Sequence, residues 1–219
     1  MTVVAVTPAV TRTRRRLFPE RRLLFVASPF RSDDSSQLAT AFLEDTLAAA
    51  RLAQVTPVLI SAPPLNGSEP ITVAPSFAEA IRRFSPTAVC AIRGDVPHLP
   101  AAFLADAFGR LAHPDTDLVL GPLEKEGHYL IGAKSTTIEL LPDISWGGPE
   151  FFSAVPEWAH ALSLRMASLP PWYPLETIAD LDRLQRHLQE GTIIAPGTAA
   201  VLELYRQYIE QIPGTVPEP

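Results

Sequence analysis

A single cysteine among 219 residues rules out an intramolecular disulfide, and no zinc site is expected from so few thiols. That residue, Cys90, falls in an apolar stretch, where a lone thiol packs as a small core side chain. Scarcity of cysteine fits a cytoplasmic location. Long hydrophobic runs are also missing: nothing approaches the roughly 18 consecutive apolar residues of a membrane span. Positive charge is short, with 18 Lys and Arg against 24 Asp and Glu and a net charge of −6. That balance argues against non-specific nucleic-acid binding, which needs a basic face. None of the five histidines has metal-ligand spacing. No serine sits in the strand–turn–helix setting of a hydrolase nucleophile, so Ser–His–Asp chemistry finds no support. There is no internal repeat.

What is present is ordinary for a globular chain: 47% hydrophobic and 19% charged residues, enough to bury a full core in one large domain. Proline is abundant, 23 residues, and falls mostly between the periodic segments, which implies stiff loops. The positive charge that exists is concentrated. Residues 1–22 carry six arginines against one glutamate, about +5, leaving about −11 for the rest. This arm lacks the apolar core of a secretory signal and reads as a flexible basic tail; a transit peptide and an anion-binding arm are the alternatives. The expected organisation is an arm over 1–22, one domain over 23–212 and a tail over 213–219.

Taken in order, Leu23 to Ala27 reads as a buried strand, followed by a polar loop with Arg31, Asp33 and Asp34. Ser35 or Ser36 caps a helix to about Leu52. Pro57 to Ile60 is a second strand, and 62–75 shows turn residues without a long element. Ser76 caps a short helix, Phe77 to Phe84. Further on, Pro149 suits the first turn of a helix that Pro156 either kinks or splits. Arg165 to Leu169 reads as a strand, Thr177 caps a helix to about Leu188 with Asp180 as capping-box partner, and a last helix runs from about Thr198 to Ile212. Strands alternating with helices, with one antiparallel return near 128–132, predict an α/β protein: a three-layer α/β/α sandwich around a mostly parallel sheet.

The centre of the chain is 87–132. Ala88 to Ile92 is an apolar, β-rich run that stops at Arg93-Gly94-Asp95, where Pro97 blocks continuation. A crossover helix follows from Pro100 to about His113. Leu118 to Leu120 then ends at Gly121-Pro122, and Tyr129 to Gly132 re-enters the sheet after a charged loop. Open α/β sheets bind ligands beyond the carboxyl ends of their strands, which makes Asp95 the first candidate for chemistry. A turn-capping role for Asp95 stands beside it.

AFLEDTLAAAR, GDVPHLP, GPLEKEGHYLIG and LPPWYPLETIADLDRL, four stretches in this order, resemble bacterial candidate glycosyltransferases of the GT-A, nucleotide-diphospho-sugar transferase fold, the type associated with radical-SAM proteins. Guanylyltransferases that activate phospholactate are more distant relatives. AFLEDTLAAAR (41–51) resembles the first-helix segment of that family, and GDVPHLP (94–100) its G-[ST]-D-x-P-x-L motif. GPLEKEGHYLIG (121–132) resembles G-P-A-x-D-G-G-Y-Y-L-I-G, and LPPWYPLETIADLDRL (169–184) resembles L-P-x-W-x-D-V-D-T-x-x-D-L. The chain departs from the pattern where it matters for chemistry. The phosphate-holding Gly-Lys-Thr-Arg-Leu run is replaced by FRSDDSSQL (30–38), leaving Arg31 as its one cation. Lys125 and Glu126 stand at the usual Asp-Gly positions, and Pro174 and Glu176 replace two aspartates.

The resemblance implies a transferase using a nucleotide-sugar and an acceptor of unknown identity. A Mg²⁺ or Mn²⁺ ion would be held by Asp95 and Glu176. It implies cofactor or donor contacts at Arg31, Asp95 and Trp172. Glu124, Glu126 or His128 would be the group that serves the acceptor hydroxyl. Each has a plainer reading: a solvated loop carboxylate for Glu124 and Glu126, a substrate contact for His128, and packing on the sheet edge for Trp172 and its neighbour Tyr173. Two further functions stay open, a non-catalytic relative that keeps the fold to bind a ligand or partner, and a nucleotidyltransferase.

Overall fold

The computed structural model describes residues 22–26, 37–60, 72–74, 86–140 and 149–210. The strands are β1 (Arg22–Val26), β2 (Thr56–Ile60), β3 (Thr72–Ala74), β4 (Ala88–Ile92), β5 (Leu118–Pro122), β6 (His128–Lys134) and β7 (Met166–Ser168). The helices, numbered in the same way, are α1 (Gln37–Leu52), α2 (Ala101–Ala112), α3 (Ser135–Ile138), α4 (Pro149–Ala161), α5 (Ile178–Gln189) and α6 (Pro196–Glu210). Residues 1–21 of the basic arm, the loop with Arg31, the expected helix Phe77 to Phe84, the caps Ser35 and Ser36 and the tail lie outside the described residues, while Arg22, the last residue of the arm, is the first of β1.

The seven strands form one sheet in the order 3-2-1-4-6-5-7. Strands β3, β2, β1 and β4 are parallel, β6 is antiparallel to both β4 and β5, and β7 is parallel to β5. The mostly parallel sheet with one reversed strand near 128–132 is therefore the architecture expected from the sequence. Every residue of β4 is buried, as a strand covered on both faces must be. Alternation then sorts its side chains: Ala88, Cys90 and Ile92 join α1 and α2 in one core, while Val89 and Ala91 join α4 in the other. Burial pushes the Cys90 thiol pKa far up, which keeps it a neutral core group.

Three local features add detail to the expected elements. A short strand, β3, lies within the turn-rich stretch 62–75; three residues paired to β2 give too little periodicity to read. The helix at Pro149 runs through Pro156 to Ala161 as one piece. On the last helix Leu204 is 58% exposed.

That last helix is instead anchored at its start. Asp45, on α1 and only 4% exposed, accepts hydrogen bonds from the backbone N–H of Gly197 at 3.0 Å and of Thr198 at 2.7 Å. These are orphan donors of the α6 N-terminus, satisfied from another helix by a group that also suits the positive end of the dipole. Asp45→Ala is expected to cost about 1–3 kcal/mol, and Asp45→Asn less, in urea unfolding.

Candidate active site

The sheet reverses its order between β1, which leads to β2 on one side, and β4, which leads away on the other. Such a switch point opens a crevice at the carboxyl ends of the strands. Three segments meet there beyond β4. The first is the turn Arg93 to Leu99. The second is the β5–β6 hairpin, closed by the Leu123 N–H donating to the Gly127 carbonyl at 2.9 Å, with Gly127 at φ +93°. A left-handed residue at that corner favours glycine. The third is 169–177, where Leu123 pairs with Trp172 as an added bridge and the Glu124 N–H donates to the Trp172 carbonyl at 2.8 Å. The Leu175 N–H donates to the Asp95 carbonyl at 2.8 Å and ties the third segment to the first.

This stitching brings Asp95 and Glu176 to one cation. Arg93 donates through Nε to Asp95 Oδ1 at 3.0 Å and through Nη2 to both Asp95 Oδ2 and, at 2.8 Å, Glu176 Oε1. Asp95 lies at the base of the cluster, its side chain 20% exposed, and Glu176 at the rim, 53% exposed. The hydrogen bond with Asp95 raises the Arg93 pKa against the opposing effect of burial, so the guanidinium stays charged. The two carboxylates expected to act together do converge, and what they share is Arg93. Arg93 was not singled out in the sequence, where its i, i+2 spacing from Asp95 is the signal available.

A second arginine organises the hairpin. Arg183, on α5, holds Glu124 with a two-pronged ion pair at 2.5 and 2.7 Å and lies 3.8 Å from the centroid of the Tyr173 ring. That hydrogen bonding lowers the Glu124 pKa, which makes it a poor proton acceptor. The α5 start is the capping box read from the sequence, Thr177 and Asp180 each bonding the other's backbone N–H. Glu126 is exposed and makes no ion pair among the described residues.

His128 has a structural task. Pro156 has no N–H to give the Phe152 carbonyl four residues back, and His128 Nδ1 lies 3.3 Å from that oxygen. The ring N–H supplies the missing donor, which helps α4 continue through its proline. Desolvation lowers the His128 pKa.

Trp172 packs between Phe103, His98 and Tyr173, at centroid distances of 5.4, 5.5 and 5.3 Å. Its neighbour His98 was not singled out in the sequence. The ring is fully buried, 4.3 Å from that of Tyr173, and neither nitrogen has a hydrogen-bond partner. Desolvation above all, then the charges of His187 and Arg183, push its pKa down to about 3, with Asp180 opposing. The unfolded chain, with a histidine pKa near 6.5, takes up this proton first as pH falls. Stability is therefore present above pH 6.5 and lost on acidification, by up to about 1.4 kcal/mol per pH unit, and His128 adds with the same sign. His98→Phe is expected to flatten the dependence of urea midpoints between pH 6.5 and 4.5, above the carboxylate range. Equal slopes in both proteins would contradict this.

Structural comparison places the architecture. A proposed nucleotide-diphospho-sugar transferase of Desulfovibrio desulfuricans G20 is 20% identical, covers 86% of this chain and 98% of its own, and superposes with a TM-score of 0.63. This is the nucleotide-diphospho-sugar transferase fold. A nucleotidyl transferase of Methanothermobacter thermautotrophicus shares the transferase fold at 13% identity, over 78% of this chain and 99% of its own, with a TM-score of 0.53. So does a cytidylyltransferase of Leptospira borgpetersenii, at 11% identity over 92% of this chain and 100% of its own, TM-score 0.50. Residues 73–148 match a family of uncharacterised proteins conserved in bacteria, DUF2064. In the transferase fold that match spans β4, Asp95 and the hairpin, and stops short of Trp172 and Glu176. Among curated proteins none matches the sequence significantly. No helix among the described residues is long and apolar enough to cross a membrane.

Proposed function

We propose that the protein is a nucleotide-sugar-dependent transferase acting in the cytoplasm through its 23–212 domain, with the donor diphosphate and a divalent cation held at the carboxyl end of β4. The observation that carries this reading is the convergence of Asp95 and Glu176, 81 residues apart in sequence, on one positive charge. Oxygen donors of this kind suit Mg²⁺ or Mn²⁺, which take one or two carboxylates and fill the remaining positions with phosphate oxygens and water. Among the described residues no third His, Cys, Asp or Glu completes an all-protein cage, which is the same pattern. Asp95 and Glu176 would hold the ion. When bound it would supply positive charge against the charge that builds on a leaving diphosphate.

The chain's own groups divide the remaining work. Arg93 Nη1 makes no hydrogen bond to another described residue and would donate to a donor oxygen. Glu126, exposed and unpaired, is the better base for the acceptor hydroxyl, because Glu124 is held by Arg183. Trp172 would border the donor with its ring edge, and Arg31 would meet the phosphates from the first loop.

A second reading, a non-catalytic relative that binds a ligand or partner, draws on the fact that Arg93 already forms an ion pair with each of the two carboxylates. Nucleotidyl transfer is a third, and would need the same carboxylates. Thermal unfolding against nucleoside diphosphates, nucleotide-sugars and nucleoside triphosphates, with and without Mn²⁺, separates them. A native-state ligand at a hundredfold excess over Kd adds about 2.7 kcal/mol. Stabilisation by nucleotide-sugars with Mn²⁺, followed by sugar release, supports the first reading, and preference for triphosphates supports nucleotidyl transfer. No response from a cooperatively melting protein leaves the non-catalytic relative.

A further inference from the structure

Arg93 occupies the place where a metal would be needed. Its guanidinium contacts the Asp95 and Glu176 carboxylates together, through one nitrogen shared between them, Nη2, and a second contact from Nε to Asp95. A divalent cation entering alone would therefore have to sit beside a fixed positive charge or expel it into solvent. The Arg93 side chain is 28% exposed, so the like-charge repulsion is only partly screened. A diphosphate entering alone meets two carboxylates whose cation, Arg93, already has its best donors engaged with them. Only when both arrive does every charge find an opposite partner: the cation with the carboxylates and the diphosphate, and the guanidinium with the diphosphate. Nη1, which makes no hydrogen bond to another described residue, is the group from which that transfer would start.

We propose that Arg93 is a latch: a resident counter-ion that closes the Asp95–Glu176 pair to a divalent cation until a diphosphate draws the guanidinium away, so that metal and donor load together. This rests on the proposed donor site but goes beyond it. It assigns a gating role to a residue that neither ligates the metal nor touches the reacting sugar in the scheme above. The energetics are those of two ligands coupled through one bistable side chain, for which coupling factors of about 5–150-fold are typical.

The test is Mn²⁺ binding, read from the free-ion electron paramagnetic resonance signal and from melting midpoints, in wild type and Arg93→Gln. Each is measured alone and with UDP, GDP, CDP or ADP, with protein-free blanks to subtract the Mn²⁺–diphosphate complex. Wild type is expected to bind Mn²⁺ alone weakly. Arg93→Gln is expected to bind it alone roughly tenfold tighter or more, and Arg93→Lys, which keeps the charge, is expected to stay closed. Equal Mn²⁺ affinities for wild type and Arg93→Gln overturn the latch, whether that affinity is high or undetectable. Nucleotide binding in the same titrations judges the transferase reading separately.

A wild-type measurement guards against a variant that fails to fold. The Arg93 Nε–H resonance, held by Asp95, should stay protected from solvent exchange with Mg²⁺ alone and lose protection with Mg²⁺ and a diphosphate together. Protection retained in the full complex overturns the proposal.

Discussion

Asp95→Ala is expected to abolish metal-dependent nucleotide stabilisation and to lower turnover of any accepted donor by at least roughly a hundredfold. That is the scale of losing one preorganised charge partner from an active site. The protein should remain folded. Arg93 loses its main partner but keeps Glu176 and is partly exposed, so the stability cost after solvent screening is below about 1 kcal/mol. Separation of the two effects is the informative feature. Asp95→Asn keeps the side chain's shape and one acceptor for Arg93 but not its charge, and is expected to fail in metal-dependent binding almost as fully. Thermal midpoints with and without Mn²⁺ and nucleotide check both variants. An Asp95→Ala protein that melts normally and still responds to Mn²⁺ with nucleotide would remove Asp95 from the donor site.

Gly121→Ala is expected to produce the largest loss of stability of any single methyl addition considered. A β-carbon there would stand 2.5 and 2.6 Å from two atoms of the Tyr129 ring. The ring cannot retreat easily, being fully buried and held by its hydroxyl donating to the Pro170 carbonyl at 3.0 Å. Overpacking of a rigid core site costs about 1–3 kcal/mol and more where nothing can move. Urea unfolding should show a loss at or above the top of that range. Tyr129→Leu should relieve much of it, so that the double variant is more stable than the sum of the two singles predicts. A cost for Gly121→Ala below 1 kcal/mol would mean that the hairpin is looser than the packing indicates.

This second result explains why one stretch of sequence was readable as fold and much less so as chemistry. Two glycines of GPLEKEGHYLIG leave room for neighbours. Gly121 lies under Tyr129, and a β-carbon at Gly132 would come within 2.7 Å of Cys90 Sγ. Gly127 turns the hairpin. The motif therefore specifies how β5 and β6 pack on the central strand, and a chain can preserve it whether or not the adjacent loop does chemistry. The alternation of strands and helices, the reversed strand, the proline start of α4 and the Thr177–Asp180 capping box were legible for the same reason: each follows from local spacing.

The site was less legible because its members are joined by tertiary contacts that no local pattern encodes. Arg93 and Glu176 meet through tertiary bonds such as that from the Leu175 N–H to the Asp95 carbonyl. Arg183 reaches Glu124 across 59 residues, turning an apparent loop base into one arm of an ion pair. His128 reads in the sequence as an acid–base candidate, and its ring also meets the Phe152 carbonyl, 24 residues along the chain, which Pro156 leaves without a donor. His98 was passed over because a histidine between two prolines gives no spacing cue, although three-dimensional packing makes it the most strongly perturbed histidine described.

The claim on which the rest depends is that the donor sits at the carboxyl end of β4. Amide hydrogen exchange, with and without the nucleotide and Mn²⁺ pair that stabilises the protein most, tests it directly. The other end of the sheet provides an internal comparison, an open cleft of about 450 Å³ floored by Phe108 and Leu111 and edged by Lys134 and Ser135. The account predicts that protection concentrates in 93–98, 123–128 and 172–177 and leaves the segments around that cleft unchanged. Protection centred on 86–88 and 134–136, with none near Asp95, would contradict it.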